Sequence, residues 1–163
     1  MGIGQGIDAH RLAAGRPLLL GGVEIPHPRG LEGHSDGDVL LHAVASALLG
    51  ALGAGDLGLH YPSSDPRLAG ISSRVIVGEV AARVRGAGVA VANVDATVIA
   101  QEPRLAPHLG AMRASLAGLL GVGEDRVNVK ATSTDGLGAI GRGEGIAAQA
   151  VVLLSPAAGA RRR

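Results

Sequence analysis

The segment from Val89 to Ala100 constrains the fold more than any other stretch of the chain. It is a long run rich in β-branched residues, which is typical of a buried strand. Helices are predicted on either side of it, one from Ser72 or Ser73 to about residue 85 and one over about 105–120. The chain therefore has a sheet at its centre, and helices must cover part of it.

Shorter patterns predict the remaining elements. They are a strand over 3–10, a hairpin over 18–25 closed by two glycines, a helix over about 36–51, an irregular and mobile loop over 53–70, and strands at about 126–132 and 145–154. Strands and helices mix without strict βαβ alternation. We therefore expect an α+β fold, with a mixed β-sheet and three helices packed on one face. A single domain is predicted over 1–156, with a disordered tail over 157–163.

The core has to be built almost without aromatic side chains. The chain has no Phe, no Trp and a single Tyr, although 47% of its residues are hydrophobic. Small aliphatic residues fill a core in thin layers, which predicts an assembly that buries more surface than one chain can. The formal net charge is +1 with both signs interspersed, so neither a nucleic acid nor a membrane is expected as partner.

Two further exclusions follow from the composition. The absence of cysteine excludes disulfides, thiolate metal ligands and cysteine catalysis. No targeting segment is recognised, and no apolar run reaches the ~18–20 residues that span a bilayer. The expected location is the cytoplasm.

A possible metal site is formed by Asp8, His10 and His42. Side chains alternate along a strand, so Asp8 and His10 point to the same face, and a following helix supplies His42. Three oxygen and nitrogen ligands leave one position of a tetrahedral Zn²⁺ open, as in catalytic zinc sites. Each residue alone has an ordinary explanation, a common D-x-H pair or a core histidine. Asp38, one turn before His42, is predicted to accept a hydrogen bond from its imidazole.

Two segments suit phosphate oxygens. His34 and Ser35 lie at a predicted helix N-terminus, where the backbone N–H groups and the helix dipole favour an anion. Simple capping by Ser35 is the alternative. The segment 132–135 ends a strand with three hydroxyls and Asp135, whose carboxylate is a hard ligand suited to Mg²⁺. The alternative is a Ser/Thr-rich turn without a ligand.

Other polar residues have ordinary interpretations by default. Asp56 and Asp65 are read as loop acids. Arg142 and Glu144 form either a turn with an ion pair or the lining of an assembly axis. The segment after the strand that ends near residue 100 offers backbone groups to a base and Arg104 to a phosphate.

Six motifs occur here in the order in which one known family has them. They are Gly6-Ile7-Asp8-Ala9-His10, His34-Ser35-Asp36-Gly37-Asp38 with His42, Asn93-Val94-Asp95, Ala100-Gln101, Asn128-Val129-Lys130-Ala131-Thr132, and Gly141-Arg142-Gly143-Glu144-Gly145. From about Gly4 to Leu154 the chain resembles the 2-C-methyl-D-erythritol 2,4-cyclodiphosphate synthases of the non-mevalonate isoprenoid pathway.

The resemblance implies an activity and an assembly. The substrate is 4-diphosphocytidyl-2-C-methyl-D-erythritol 2-phosphate, whose 2-phosphate attacks the β-phosphorus to give the cyclic diphosphate and CMP. The enzyme would be a phosphorus–oxygen lyase. It would form a homotrimer with active sites between neighbouring subunits.

The resemblance also implies two metal ions. Zn²⁺, or another divalent transition metal, would be held by Asp8, His10 and His42 and would take a substrate phosphate oxygen as its fourth ligand. Mg²⁺ or Mn²⁺ would bridge the diphosphate and be held by Asp135. Bringing one phosphate onto another requires both to be neutralised, which is the work of cations.

Further residues match functional positions of the family. His34 and Ser133 match positions that stabilise the transition state. The positions of the loop that contacts the methylerythritol part are Asp56, Leu57, Gly58, Tyr61, Pro62, Ser63, Ser64 and Asp65. The positions of the cytidine pocket are Ala100, Gln101, Glu102, Pro103, Arg104, Leu105, Ala106 and Thr132. The other substrate-binding positions are Ser35, Thr134, Ala139 and Arg142.

The chain departs from the family pattern at several of these positions. Asp135 stands where Glu is frequent, Ser133 where Thr is usual, and Arg104 where Lys is common; Arg and Lys are not interchangeable as phosphate partners. Ile7 and Ala139 occupy positions that are often aromatic, near a cavity on the trimer axis that takes isoprenoid phosphates in the family.

Two other functions compete with the synthase. In a metal-dependent phosphohydrolase, water would fill the open metal position, and Asp56 is the one residue considered as its general base. A non-catalytic trimer that binds a nucleotide or an isoprenoid phosphate is the second alternative. Pure binding does not require two cation sites.

Overall fold

The computed structural model describes residues 1–157, and its centre is a five-stranded sheet. The strands of the chain are β1 (Gly2–Ala14), β2 (Leu18–Leu20), β3 (Val23–Ile25), β4 (Arg29–Leu31), β5 (Val89–Ile99), β6 (Val127–Thr132) and β7 (Gly145–Pro156). The central sheet has the order β4-β1-β7-β5-β6, while β2 and β3 form the separate hairpin that was predicted. β5 and β6 run parallel and the other neighbours antiparallel, so the sheet is mixed.

The described residues form five helices, and the three longest pack against the sheet and against each other. The five are α1 (Val39–Ala51), α2 (Leu57–His60), α3 (Ser73–Gly86), α4 (Leu109–Leu120) and α5 (Gly138–Gly141). α1 packs on β1 and β7, α3 on α1 and β5, and α4 on β6. The α+β prediction is confirmed, with the three long helices as expected, whereas the short helices α2 and α5 were not predicted.

The central strand β7 has one buried and one more open side. Along β7 the alternate residues Ile146, Ala148, Ala150, Val152 and Leu154 are all buried beneath the helices. On the opposite face, apolar side chains of β1 and β7 remain exposed. They are Ile3 at 71%, Ile7 at 68% and Leu153 at 37%. This face has no covering layer among residues 1–157.

Alternating glycines on β1 let α1 lie directly on the sheet. A Cβ built on Gly4 would lie 1.9 Å from the carbonyl oxygen of Ala47, and one on Gly6 would lie 2.0 Å from that of Ala43. Real Cβ atoms essentially never approach other heavy atoms this closely. The glycines therefore set the distance between strand and helix. That distance places His42 of α1 over Asp8 of β1.

Several element bounds differ from the predictions for local reasons. α1 begins at Val39 and not near residue 36, because Asp38 is its N-cap and Gly37 has a positive φ of 77°. α4 begins at Leu109, after a 3₁₀ turn over Ala106–His108. The segment predicted as irregular, 53–70, contains α2 and a 3₁₀ turn over Pro66–Leu68.

At the end of the described part, the backbone N–H of Ala157 donates to the carbonyl of Gly88 over 3.1 Å. The rest of the predicted tail, 158–163, lies outside the described residues. In the part of the chain that the structure describes, every helix is too short or too polar to cross a bilayer.

Candidate metal centre and substrate cavities

Asp8, His10 and His42 converge on one point, as the sequence predicts. Asp8 Oδ2 lies 2.8 Å from His10 Nε2 and 2.9 Å from His42 Nδ1, and the two nitrogens are 3.2 Å apart. Ligand atoms at the usual zinc bond lengths of about 2.0–2.1 Å in a tetrahedron are about 3.3 Å apart. One carboxylate oxygen and two imidazole nitrogens at these separations fit a small divalent ion.

Hydrogen bonds within this cluster favour the charged forms of Asp8 and His10. Burial opposes ionisation of Asp8, but hydrogen bonds from His10 and His42 outweigh it and hold the pKa of the carboxyl well below its ordinary value. The hydrogen bond to Asp8 raises the pKa of His10, against the opposing effect of burial. Asp8 is therefore an anionic ligand throughout the neutral pH range.

The prediction that Asp38 orients His42 is wrong. Asp38 is completely buried, and its carboxylate accepts hydrogen bonds from the backbone N–H groups of Leu41 at 3.0 Å, Gly21 at 2.9 Å and Gly22 at 2.6 Å. Burial nevertheless raises its pKa. Asp38 thus caps α1 and ties it to the turn of the β2–β3 hairpin.

The outer nitrogen of His42 faces two hydroxyls instead. Its Nε2 lies 2.9 Å from Ser73 Oγ and 3.0 Å from Ser35 Oγ. Ser73 was considered only as a helix cap, although its side chain is fully buried against the metal centre. The one available signal was a serine at the start of a helix. Nothing in that signal points to a histidine 31 positions earlier.

A cavity of about 340 Å³ opens beside the three ligands. His34, Ser35 and Tyr61 line it together with the metal cluster, as do other residues of the predicted substrate loop, namely Leu57, Gly58 and Ser63. Further walls are apolar and were not predicted; they come from Ile7, Leu68, Ile71 and Ile76. The cavity therefore combines a cation site with a partly apolar wall.

His34 and Ser35 do not stand at a helix N-terminus, contrary to expectation. They lie in the loop before the Asp38 cap, where His34 Nε2 is 2.8 Å from the carbonyl oxygen of Asp65. Ser35 Oγ accepts from the N–H of Gly37 at 3.2 Å, so it closes a turn. Both side chains line the cavity from this loop, so the dipole of α1 does not act at their positions.

The predicted substrate loop is anchored at several points. Asp56 caps α2 by accepting from the N–H of Leu59 at 2.9 Å, and the hydroxyl of Tyr61 donates to Glu79 of α3 at 2.6 Å. Asp65 pairs with Arg67, which lowers the pKa of Asp65 to about 2. Asp56, Pro62, Ser64 and Asp65 belong to this loop without lining the cavity.

A second cavity, of about 300 Å³, shares no lining residue with the first. It is lined by Ala100, Gln101, Pro103, Arg104, Leu105, Ala106, Ala131, Thr132 and Ser133. These are the residues matched to the cytidine pocket, with Ala131 and Ser133 added and Glu102 missing. Glu102 instead accepts a hydrogen bond from Arg29 at 2.9 Å.

Asp135 belongs to this second region and not to the metal cluster. Its backbone is left-handed, with φ 51°, and its Oδ1 lies 3.4 Å from Ser133 Oγ. The next residue, Gly136, donates its N–H to Gln101 Oε1 at 3.1 Å. Thr134 is held in the same turn by a hydrogen bond to the carbonyl of Leu137 at 2.7 Å. One chain therefore does not bring the two predicted cation sites together.

A third cavity, of about 210 Å³, shares His10 with the first as a lining residue. Ala139 and Glu144 line it, and Arg142 donates to Glu144 at 2.6 Å. This pair lowers the pKa of Glu144. The predicted turn with an ion pair is therefore present at Arg142.

A three-residue group that could hold a metal ion, beside an open cavity on a mixed sheet, is typical of metal-dependent enzymes of the α+β class. The chain belongs to the YgbB family, whose family model matches residues 1–155. Relatives named 2-C-methyl-D-erythritol 2,4-cyclodiphosphate synthase include one from Burkholderia thailandensis, 58% identical over 93% of this chain and 94% of its own length. A second, from Cupriavidus necator, is 60% identical over 93% and 90%.

Solved structures show the same fold. A 2C-methyl-D-erythritol-2,4-cyclodiphosphate synthase in its CDP-bound form has a TM-score of 0.86 at 40% identity, over 94% of this chain and 99% of that chain. The bifunctional IspDF from Campylobacter jejuni has a TM-score of 0.92 at 42% identity, over 95% of this chain. This chain spans only 42% of that longer protein.

Proposed function

We propose that the chain converts 4-diphosphocytidyl-2-C-methyl-D-erythritol 2-phosphate to 2-C-methyl-D-erythritol 2,4-cyclodiphosphate and CMP. An oxygen of the 2-phosphate forms a bond to the β-phosphorus, and the bond from that phosphorus to the bridging oxygen breaks. CMP leaves with this oxygen. The observation that carries the proposal is the convergence of Asp8, His10 and His42 beside a cavity, in a chain whose named relatives have this activity.

The donor set suits Zn²⁺, and a carboxylate at Asp135 suits Mg²⁺ or Mn²⁺. Bound cations would neutralise the phosphate oxygens that must approach each other. The residues of the chain supply the positions of the reacting groups: Asp8, His10 and His42 would hold one ion, and His34 presents an imidazole to the same cavity. The nucleophile is already an anionic phosphate, so the reaction requires alignment more than a general base.

The cytidine end of the substrate is assigned to the second cavity. Its walls include Ala100, Gln101, residues 103–106 and Thr132, and Arg104 among them supplies a cation. The CDP-bound relative supports a cytidine nucleotide as ligand. Ser133 lines this cavity and its hydroxyl lies 3.4 Å from the carboxylate of Asp135, so we place the diphosphate end beside this pair.

The separation of the two regions supports a homotrimer with shared active sites. One chain offers the zinc-type cluster in one cavity and Asp135 beside another, and the two cavities share no wall. The exposed Ile3, Ile7 and Leu153 form an apolar surface for a neighbouring copy. Packing of identical chains around an axis would place the second cavity of one chain against the metal cluster of the next.

Subunit complementation tests this arrangement. His42→Ala damages the metal cluster and Asp135→Asn damages the other half, so each homotrimer should release almost no CMP. Random mixing should restore about a quarter of wild-type activity, because about one interface in four then combines two intact halves. The two variants are unfolded and refolded together so that mixed trimers form. Mixed trimers that remain inactive would contradict shared active sites.

The phosphohydrolase has less support. Asp56, its one proposed base, caps α2 through the N–H of Leu59 and does not line the cavity. The non-catalytic binding trimer is disfavoured by the intact metal cluster. Unchanged CMP release by His42→Ala would refute the proposal of a metal-assisted synthase. The cytoplasmic location stays a prediction.

A further inference from the structure

The side of His42 that faces away from the metal cluster is enclosed by buried hydroxyls. Nε2 has Ser73 Oγ at 2.9 Å and Ser35 Oγ at 3.0 Å. His42 and Ser35 are buried, and Ser73 has no exposed surface. Ser73 Oγ therefore meets Nε2 away from water, whereas Ser35 and His42 also line the first cavity.

Asp36 determines the direction of the hydrogen bond between Ser73 and His42. The Asp36 carboxylate lies 2.5 Å from Ser73 Oγ, and it also accepts from the backbone N–H groups of Ser73 at 2.9 Å and Asp38 at 3.2 Å. A carboxylate accepts hydrogen bonds, so the hydroxyl of Ser73 donates its one proton to Asp36. Ser73 Oγ can then only accept from His42 Nε2.

This direction sets the tautomer of His42. With Nε2 donating to Ser73, a metal ion would replace the proton that Nδ1 gives to Asp8 Oδ2 at 2.9 Å, and the lone pair of Nδ1 would then face the ion. Ser35 does not select a tautomer, because its hydroxyl can accept from a protonated Nε2 or donate to an unprotonated one. The choice therefore depends on Ser73 and, through it, on Asp36.

We propose that Asp36 and Ser73 are positioning residues that hold His42 in its metal-binding tautomer and ring orientation. This inference rests on the metal centre of the proposed function. Partners of this kind behind a metal-bound histidine change metal affinity about 10–100-fold when they are lost. Neither residue touches the substrate cavity, so neither is expected to bind substrate.

The test compares Ser73→Ala with Ser72→Ala. Both remove one hydroxyl at the start of α3, but Ser72 makes no capping hydrogen bond with its side chain. Dissociation constants for Zn²⁺ and Co²⁺ are measured by calorimetry on the full chain after removal of metal, with denaturation curves to confirm folding. Ser73→Ala should weaken binding about 10–100-fold. Ser72→Ala should bind as the wild type does.

Nitrogen-15 NMR of the histidine rings gives a second readout that a purely structural role would not move. With Zn²⁺ bound, wild-type protein should keep the proton of His42 on Nε2 in slow exchange with water, because Ser73 accepts it, and Ser73→Ala should exchange this proton faster. An Nε2 proton that exchanges as fast in the wild type as in Ser73→Ala would overturn the inference, as would wild-type metal affinity in Ser73→Ala. Wild-type protein that binds no divalent ion would overturn the metal centre itself, and this inference with it.

Discussion

Replacement of Gly6 by alanine tests whether the strand-to-helix distance determines the metal centre. Gly6 lies two residues before Asp8, and the carbonyl that its new Cβ would meet belongs to Ala43, the neighbour of His42. The Cβ would lie 2.0 Å from that oxygen, whereas ordinary contact begins at 3.4 Å. To lengthen the distance between this Cβ and the Ala43 oxygen from 2.0 to 3.4 Å, α1 has to move away from β1 by about 1.4 Å.

The expected cost is at the upper end of overpacking penalties, because the atoms in the way are backbone. The free energy of unfolding should fall by about 3 kcal/mol. For a chain of this length, that lowers the melting temperature by about 6–12 °C. The same displacement separates His42 from Asp8, so Zn²⁺ should bind at least about tenfold more weakly.

Thermal denaturation and Zn²⁺ calorimetry measure the two effects on the same samples. Gly78→Ala is the matched control, because a Cβ on Gly78 of α3 would have nothing within 4 Å. Alanine also favours a helix by about 0.5–1 kcal/mol over glycine, so this variant should be as stable as wild type or slightly more stable. Unchanged stability and Zn²⁺ affinity in Gly6→Ala would refute the reasoning.

Two further predictions concern single residues. Tyr61 is the only tyrosine and there is no tryptophan, so tyrosinate absorbance reports this residue alone. Burial, and then the hydrogen bond to Glu79, raise its pKa from 10.0 to about 12. The folded chain holds the Tyr61 proton more tightly than the unfolded chain, so the stability that this proton contributes is lost as pH rises from 10.0 to about 12. Glu79→Gln should lower the pKa of Tyr61 only in part, because burial remains. A wild-type pKa near 10 would contradict the effect of burial. Asp38→Ala should lower the free energy of unfolding by about 2–3 kcal/mol in urea denaturation, because it removes a helix cap and leaves buried N–H groups unpaired. A loss below about 0.5 kcal/mol would contradict this, and would show that water replaces the carboxylate.

The parts of the site that were predictable are those that depend on local periodicity. Asp8 and His10 share a face because strand side chains alternate, and this holds wherever the strand lies in the sheet. The run that became β5 was recognisable from its β-branched residues. His42 lies beside Asp8 and His10 because the glycines of β1 allow α1 to pack close to the strand. These glycines are apparent in the sequence, but their role in packing is not.

The parts that were not predictable depend on contacts between distant segments. The carboxylate of Asp38 is taken by the turn of a hairpin, so it is not available to a histidine on its own helix. The residue that does contact His42 Nε2 begins another helix, α3. Short elements such as α2 have too few residues for a periodic pattern, and capping by Asp56 becomes evident only in three dimensions.

The most direct test of the central claim is to follow the reaction products by ³¹P NMR. Purified protein is incubated with 4-diphosphocytidyl-2-C-methyl-D-erythritol 2-phosphate, Mg²⁺ and trace Zn²⁺, with His42→Ala as the control. The account predicts the cyclic diphosphate together with an equal amount of CMP from the wild type, and neither product from the control. Open-chain phosphates would instead identify a hydrolase, and bound but unreacted substrate would identify a binding protein; either result would contradict the synthase.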